Sequence, residues 1–388
     1  MSLSGSVSPS WSIVGGRVLG AEGFAARDLV VAGGVIAEGG AGARGLDASG
    51  LLVMPGIVDV HGDAFERQVM PRPGVSFDLV TALLDTDRQL VANGITTAFH
   101  GVTWSWEPGL RGAENARALL QAIADLGERL AADTRFHLRH ETFNLAGEAE
   151  ILEWIAGRRI GCLAFNDHTT GMVVKRQTPA KLAKMVERTG LLTEDFMALF
   201  DNVAAHAGEV PASVARLAAA ARAAGIAMLS HDDMSPKMRA EFRDMGVTIA
   251  EFPIDVATAE EAAAAGEAIV FGAPNVVRGG SHTGCPSAAE MVGRGLCTIL
   301  ASDYYYPALA AAPFRLARDG VASLEAAWAL VSTNPAAVMG LTDRGSLAPG
   351  RRGDVVLIDP AEADGVPRVV ATLAAGRLVH LADGARLL

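Results

Sequence analysis

Six residues of metal-ligand type stand at or just past the ends of short apolar runs. His61 and Asp63 close GIVDVHGD (56–63), and Glu141 lies in RFHLRHET (135–142). His168 lies in GCLAFNDHTTG (161–171), His231 in GIAMLSHDD (225–233) and Asp303 in LCTILASDYY (296–305). Imidazole with carboxylate is a donor set for Zn²⁺, and also for Mn²⁺, Fe²⁺ or Ni²⁺. In an extended strand alternate residues face one way, so His61-x-Asp63 presents two donors together. A lone H-x-D is weak, and what argues for a centre of one or two divalent ions, zinc first, is the company it keeps. Each member has a plainer reading. His61 could be a core histidine donating to a carbonyl, and Glu141 could pair with Arg139 or His140 or bridge two ions. Asp167 could replace His168 as the ligand, and Asp303 could cap the segment after it. Asp303, ending the last run, is placed to bind metal and to take a proton from its water, which makes it the catalytic candidate.

Ser230-His231-Asp232-Asp233 is not a catalytic triad, because neighbours on one strand alternate faces. Asp232 or Asp233 could instead orient the His231 ring. His100 and Glu251 end their runs without supporting polar residues and read as structural. Only one strand face can point inward at His137, His140 and Glu141. His206 lies in a helix-like stretch and His380 near the C-terminal end, and neither suits a ligand. For an anionic substrate, GAPNVVRGGSHTG (272–284) reads as a flexible loop in which Arg278 and His282 meet glycines that let backbone N–H groups come close. Lys175 and Arg176 form a second basic pair. Arg67 and Arg72 rank below them.

These residues need a scaffold that gathers strand ends. GIVDVHGD, GITTAFHGV (94–102), RFHLRHET, GCLAFNDHTTG, GIAMLSHDD, GVTIAEFP (246–253), AIVFGAPN (268–275) and LCTILASDYY make eight β segments. Amphipathic stretches such as 114–133 and 213–225 lie between them. Continuous apolar character suits buried parallel strands, and eight with helical crossovers predict an α/β protein with a (β/α)8 TIM-like barrel over 53–344. A doubly wound sheet is the rival, but no G-x-G-x-x-G follows the first strand. Residues 11–52 and 345–388 read as short strands with Gly and Pro turns, too little for two domains, and so as one β-sandwich built from both ends.

Composition sets limits on partners. The chain has 388 residues, half of them hydrophobic, and 33 Lys+Arg against 44 Asp+Glu give a net charge of -11. That balance excludes general nucleic-acid binding, which needs a basic face, though not a small polyphosphate. Three scattered cysteines, Cys162, Cys285 and Cys297, make no disulfide framework, and no basic-then-apolar leader opens the chain. Arg216, Arg222 and Lys237 interrupt the Ala-rich stretch around 218–221, so no membrane partner is expected. A cytoplasmic protein is the expectation, with homo-oligomerisation open.

The strings also carry a resemblance. LLVMPGIVDVHGD (51–63), GITTAFHGV and RGSLAPGRRGDVVLID (344–359) resemble the amidohydrolase superfamily. HGDAFERQVMPRP, NDHTTG, SHDD, AEFP, GAPNVVRGGSHTG and ASDYYYP resemble its PhnM-like group, the α-D-ribose 1-methylphosphonate 5-triphosphate diphosphatases of phosphonate breakdown. The resemblance implies hydrolysis of a triphosphate arm with release of pyrophosphate. It carries His61, Asp63, Glu141, His168, His231 and Asp303 over as the metal site. A deaminase or N-deacylase using the same metal chemistry on a C–N bond is the alternative. Three features depart from the wider superfamily: H-x-D rather than H-x-H on the first strand, no strand-end lysine, and Glu251 where many relatives have His. TWSWEPGLRGAEN (103–115) also looks unlike the group.

Overall fold

The computed structural model describes residues 9–40, 42–72, 74–174, 186, 189–281, 284–361 and 366–388. Lys175, Arg176 and His282 lie outside the described residues.

All eight expected segments form strands: β1 (Ile57–Gly62), β2 (Ile95–Trp104), β3 (Asp133–Glu141), β4 (Cys162–Asn166), β5 (Ala227–His231), β6 (Ile249–Glu251), β7 (Ala268–Gly272) and β8 (Ile299–Ala301). They make one sheet in chain order, each pair parallel. A parallel bridge between Gly62 and Asp303 joins the last strand to the first. The result is a (β/α)8 barrel, whose strand ends share one face. One apolar cluster takes residues from every strand except β3: Val58, Val60, Phe99, Cys162, Ala164, Leu229, Ile249, Val270, Ile299 and Ala301. Only a filled barrel interior brings such distant residues together. β3 supplies the buried His137, whose Nδ1 lies 2.9 Å from the Val60 carbonyl oxygen.

The helices outside follow from their spacing and ends. Helix Ala113–Leu126 buries Ala116, Leu119, Leu120, Ala122 and Leu126, a stripe linked by steps of three and four residues. Asp78 caps helix Leu79–Ala92 by accepting from Val80 N, and Ser235 caps Pro236–Asp244 through Met238 N. No helix among the described residues is long and apolar enough to cross a membrane.

Both chain ends build a second unit of two sheets. One holds Trp11–Val14, Leu29–Ala32, Val35–Ala37 and Arg44–Asp47. The other joins Arg17–Gly20, Gly23–Ala26 and Leu52–Pro55 to Val355–Asp359, Arg368–Ala374 and Arg377–Leu381. Trp11, Ile13, Val31, Leu46, Val355, Leu357 and Val370 share its core. Strand Leu52–Pro55 pairs antiparallel with Val355–Asp359 in this sheet.

Candidate metal centre

The first strand needs an irregularity to aim its ligands. Pairing of β1 with β2 shifts between Asp59 and Gly62, a bulge that breaks simple alternation just where His61 lies. Asp59 then ties this end to β8, accepting from Ser302 N at 3.0 Å and Ser302 Oγ at 2.6 Å. The middle residue of His-Gly-Asp has no room for a side chain: a Cβ at Gly62 would stand 2.7 Å from Asp59 Oδ2 and 2.8 Å from Ser302 Oγ. Backbone bonds finish the junction. Asp303 N donates to the His61 carbonyl and Asp63 N to the Asp303 carbonyl, both at 2.9 Å.

Three non-glycine residues on this face take left-handed backbone: Asp232 (φ 59), Phe252 (φ 55) and Asp303 (φ 53). Each follows the last residue of a strand or stands one beyond it, and the conformation costs roughly 1–3 kcal/mol per residue. The turn at Phe252 sets its ring edge-on to His61 at 5.1 Å and His231 at 5.4 Å.

Beneath those rings lies Glu251, fully buried. Its Oε1 is 2.7 Å from His61 Nδ1 and its Oε2 is 2.7 Å from His231 Nδ1. Burial alone would raise the Glu251 pKa, but the charges of His61 and His137 and the hydrogen bonds from His231 and His61 hold it well below the usual carboxylate range. An ionised carboxylate only accepts, so both Nδ1 atoms donate and both Nε2 lone pairs remain for another partner. Burial pulls His61 down, and the Glu251 charge and hydrogen bond more than offset it, leaving its pKa raised. In His231 burial prevails and the pKa is lowered.

Two further groups gather donors within 4.8 Å of one another: His61, Asp63 and Asp303, and His168, His231 and Asp232. Asp232 Oδ2 lies 3.6 Å from His231 Nε2 and 3.7 Å from His168 Nε2. Ligand atoms about 2.1 Å from an ion at tetrahedral angles stand about 3.4 Å apart, so this spacing fits a divalent cation. Three nitrogen or oxygen donors with an open position also match a catalytic rather than a closed structural site. Burial, with the Asp63 and Glu251 charges adding to it against His61 and Arg139, lifts Asp303 to about 6. Burial opposes ionisation of Asp232 too, but His231 and His168 bring it down to about 2.

The remaining expected residues are placed as follows. Glu141 lies outside all three groups, behind His168: Oε2 accepts from His168 N at 3.3 Å and is 3.4 Å from its Nδ1, and Oε1 accepts from Thr169 Oγ1 at 2.8 Å. Desolvation lowers the His168 pKa, but Asp232 and Glu141 raise it to about 9. Asp233 does not orient His231. It turns away to Ser230 Oγ at 2.6 Å and Arg239 Nη1 at 3.1 Å. Arg278 ends helix Ala273–Arg278 rather than lying in a loop, is exposed, and donates to Tyr304 Oη at 3.1 Å. Arg67 also reaches the Tyr304 ring, 6.0 Å from its centroid.

A cavity of about 190 Å³ opens on His61, Asp63, Arg139, His231, Asp232 and Asp303. A larger one, about 770 Å³, is lined by residues of the 104–118 segment with Asn144, Ala146, Gly147, Leu191 and Leu199. From its wall Trp106 donates to Thr169 Oγ1 at 2.9 Å, which in turn donates to Glu141. Sequence reading missed the work of Glu251, Arg139 and Phe252. Glu251 ends its strand as the chosen ligands do, and Arg139 shares a strand face with Glu141 two residues on. Nothing local marked Phe252.

Residues 81–380 match the Amidohydrolase family. The chain is 33% identical over 321 residues to the alpha-D-ribose 1-methylphosphonate 5-triphosphate diphosphatase of Escherichia coli K12, covering 80% of this chain and 84% of that one. An adenine deaminase of Methylobacterium nodulans is 54% identical over only 54 residues, 14% of this chain and 9% of that one. Among solved structures, the D-hydantoinase of Bacillus sp. AR9 superposes with a TM-score of 0.63 at 15% identity, over 96% of this chain and 95% of that one. An amidohydrolase from a Sargasso Sea sample gives 0.61 at 19%, over 96% and 93%. The structural likenesses speak to the fold alone.

Proposed function

The chain belongs to the amidohydrolase superfamily, in its PhnM-like group, and on that premise we propose that it hydrolyses a phosphoanhydride bond of a small triphosphorylated sugar. It is a metal-dependent hydrolase. The finer reading is that α-D-ribose 1-methylphosphonate 5-triphosphate is cleaved between its α and β phosphorus atoms, water adding to yield pyrophosphate and a 5-phosphate. The observation that carries it is the pair of three-donor groups whose His61 and His231 are held by Glu251 in the wall of one cavity, in a chain 33% identical to a diphosphatase across most of its length. A divalent ion bound there, with zinc the first choice, supplies a nucleophilic water at neutral pH and a counter-charge for phosphoryl oxygens.

This chain's residues do the rest. Glu251 fixes the tautomers of His61 and His231. Asp303, held against Asp63 by the barrel closure, accepts the proton of the attacking water. Arg278 and Arg67, both at Tyr304, offer cationic charge to the polyphosphate arm. We place the enzyme in the cytoplasm, a reducing compartment that suits three cysteines outside any disulfide.

One observation favours a second reading, hydrolysis of a C–N bond. The 770 Å³ cavity is lined by Trp104, Trp106 and Glu107, which suit a planar neutral group better than a phosphate. The test is a screen of metal-loaded protein against triphosphorylated ribosides, amides, hydantoins and nucleobases, with pyrophosphate and ammonia both measured. Pyrophosphate release is expected with kcat/KM of at least about 10⁴ M⁻¹s⁻¹. In the same assay Asp303→Asn should fall by about 10²–10⁴-fold. Ammonia without pyrophosphate overturns the reading in favour of the second.

A further inference from the structure

Arg139 stands inside the candidate metal centre without being one of its ligands. It lies on β3 with a side chain 6% exposed. Its stem passes Gly101 of β2, where a Cβ would stand 3.2 Å from Arg139 Cδ and 3.4 Å from His61 Nε2, so a larger residue there would press on the stem. At the far end Nη2 lies 3.0 Å from His231 Nε2, and Nη1 donates to Asp63 Oδ2 at 3.4 Å. Those two acceptors belong to different ligand groups.

His231 Nδ1 is committed to Glu251, so Nε2 offers one lone pair. An N–H donor and a cation compete for it. The guanidinium itself is poorly satisfied: of its five donors, Nε has no hydrogen-bond partner among the described residues, and the contact with Asp63 is long. A buried fork with unused donors is suited to two oxygens of one anion.

We propose that Arg139 is a two-position cation. Without a divalent ion it caps His231 Nε2 and Asp63. When the ion takes those ligands, Arg139 is displaced, and its fork grips an anionic oxygen pair of the substrate over the small cavity. The ion-competition half of this proposal is independent of which bond is cleaved. The anion half rests on the phosphoanhydride reading.

Zinc affinity of chelator-stripped protein, measured by competition with a chromogenic chelator, tests the first half. Arg139→Met keeps the length of the stem and removes the charge, and should bind zinc about ten-fold more tightly than the parent. Arg139→Lys keeps a cation without the fork and should stay near the parent. Equal or weaker zinc binding by Arg139→Met overturns the competition. Pyrophosphate titrated into zinc-loaded protein by calorimetry tests the second half: both variants should lose about ten-fold or more in affinity. Unchanged affinity overturns the clamp. If zinc-loaded parent protein binds no pyrophosphate, the clamp and the phosphoanhydride reading fall together, and the zinc competition still decides the first half. Circular dichroism checks folding, and Arg139→Gln replaces the Met variant should that one not fold.

Discussion

Two buried arginines, one on β3 and one on the helix between β5 and β6, make an instructive contrast. Arg239, fully buried on helix Pro236–Asp244, has acceptors at both Nη atoms: Ser230 Oγ at 2.5 Å, Asp233 Oδ2 at 3.1 Å, the Ile249 carbonyl at 3.4 Å and the Val247 carbonyl. Its Nε, like that of Arg139, makes no hydrogen bond among the described residues but pairs with Glu267 Oε2 at 3.2 Å. Arg139 is nearly as buried and has two polar contacts, one of them long. A satisfied buried charge locks a structure, because removing it strands its partners in a medium that solvates them poorly. An under-satisfied one is poised to bind something else. Arg239 holds the β5–β6 region together from outside the barrel, and Arg139 faces the space where the ligands converge.

The largest effect expected from this contrast is on folding. Arg239→Met leaves Asp233 buried without its cation, and Glu267 with Arg243 alone, and should cost about 3–5 kcal/mol in urea unfolding. Zinc affinity should survive wherever the variant folds. Arg139→Met should cost clearly less in the same measurement, and equal losses would erase the distinction. Next in size is Glu251→Gln, which keeps the shape but cannot accept from both imidazoles. Zinc affinity should fall about 10–100-fold, or roughly 1.4–2.7 kcal/mol. No change would mean that the two histidines need no orienting.

The smallest effect concerns His140, a third buried group, whose two ring nitrogens have no hydrogen-bond partner among the described residues. Burial brings its pKa down to about 4. Above the unfolded histidine value near 6.5 neither state is protonated there. Between about 6.5 and 4 the unfolded chain takes up a proton that the folded one refuses. Stability is therefore full above pH 6.5 and lost as pH falls, by about 1.4 kcal/mol per pH unit for this group. His140→Phe should flatten the pH slope of unfolding by that share between pH 6.5 and 5. An unaltered slope would show that His140 is protonated in the folded protein.

Much of the site was legible because a parallel barrel turns a one-dimensional cue, a polar residue after an apolar run, into a shared face. His61, Asp63, His231 and Asp303 follow that rule and line one cavity. Glu251 follows it too, but its neighbours in sequence, Ala250 and Phe252, are apolar and give no sign of its role. Its neighbours in space are His61 and His231, which are 190 and 20 residues away. Glu141 obeys the rule as well, but its carboxylate is taken by His168 and Thr169, just past the end of the next strand. Arg278 looked like loop because of Gly279 and Gly280, whereas Pro274 and the apolar Val276 hold a short helix up to Arg278 itself.

The sequence by itself determined the eight strands, their parallel order and the composite β-unit. Apolar runs of strand length separated by amphipathic stretches have few ways to bury themselves. Only the tertiary structure decided which donors share a cation, which carboxylate orients the imidazoles, and which arginine stands among them. Those are matters of a few tenths of an ångström and of lone-pair direction. They depend on the β1 bulge, on three left-handed residues and on the closure of β8 onto β1, none of which residue type or spacing specifies.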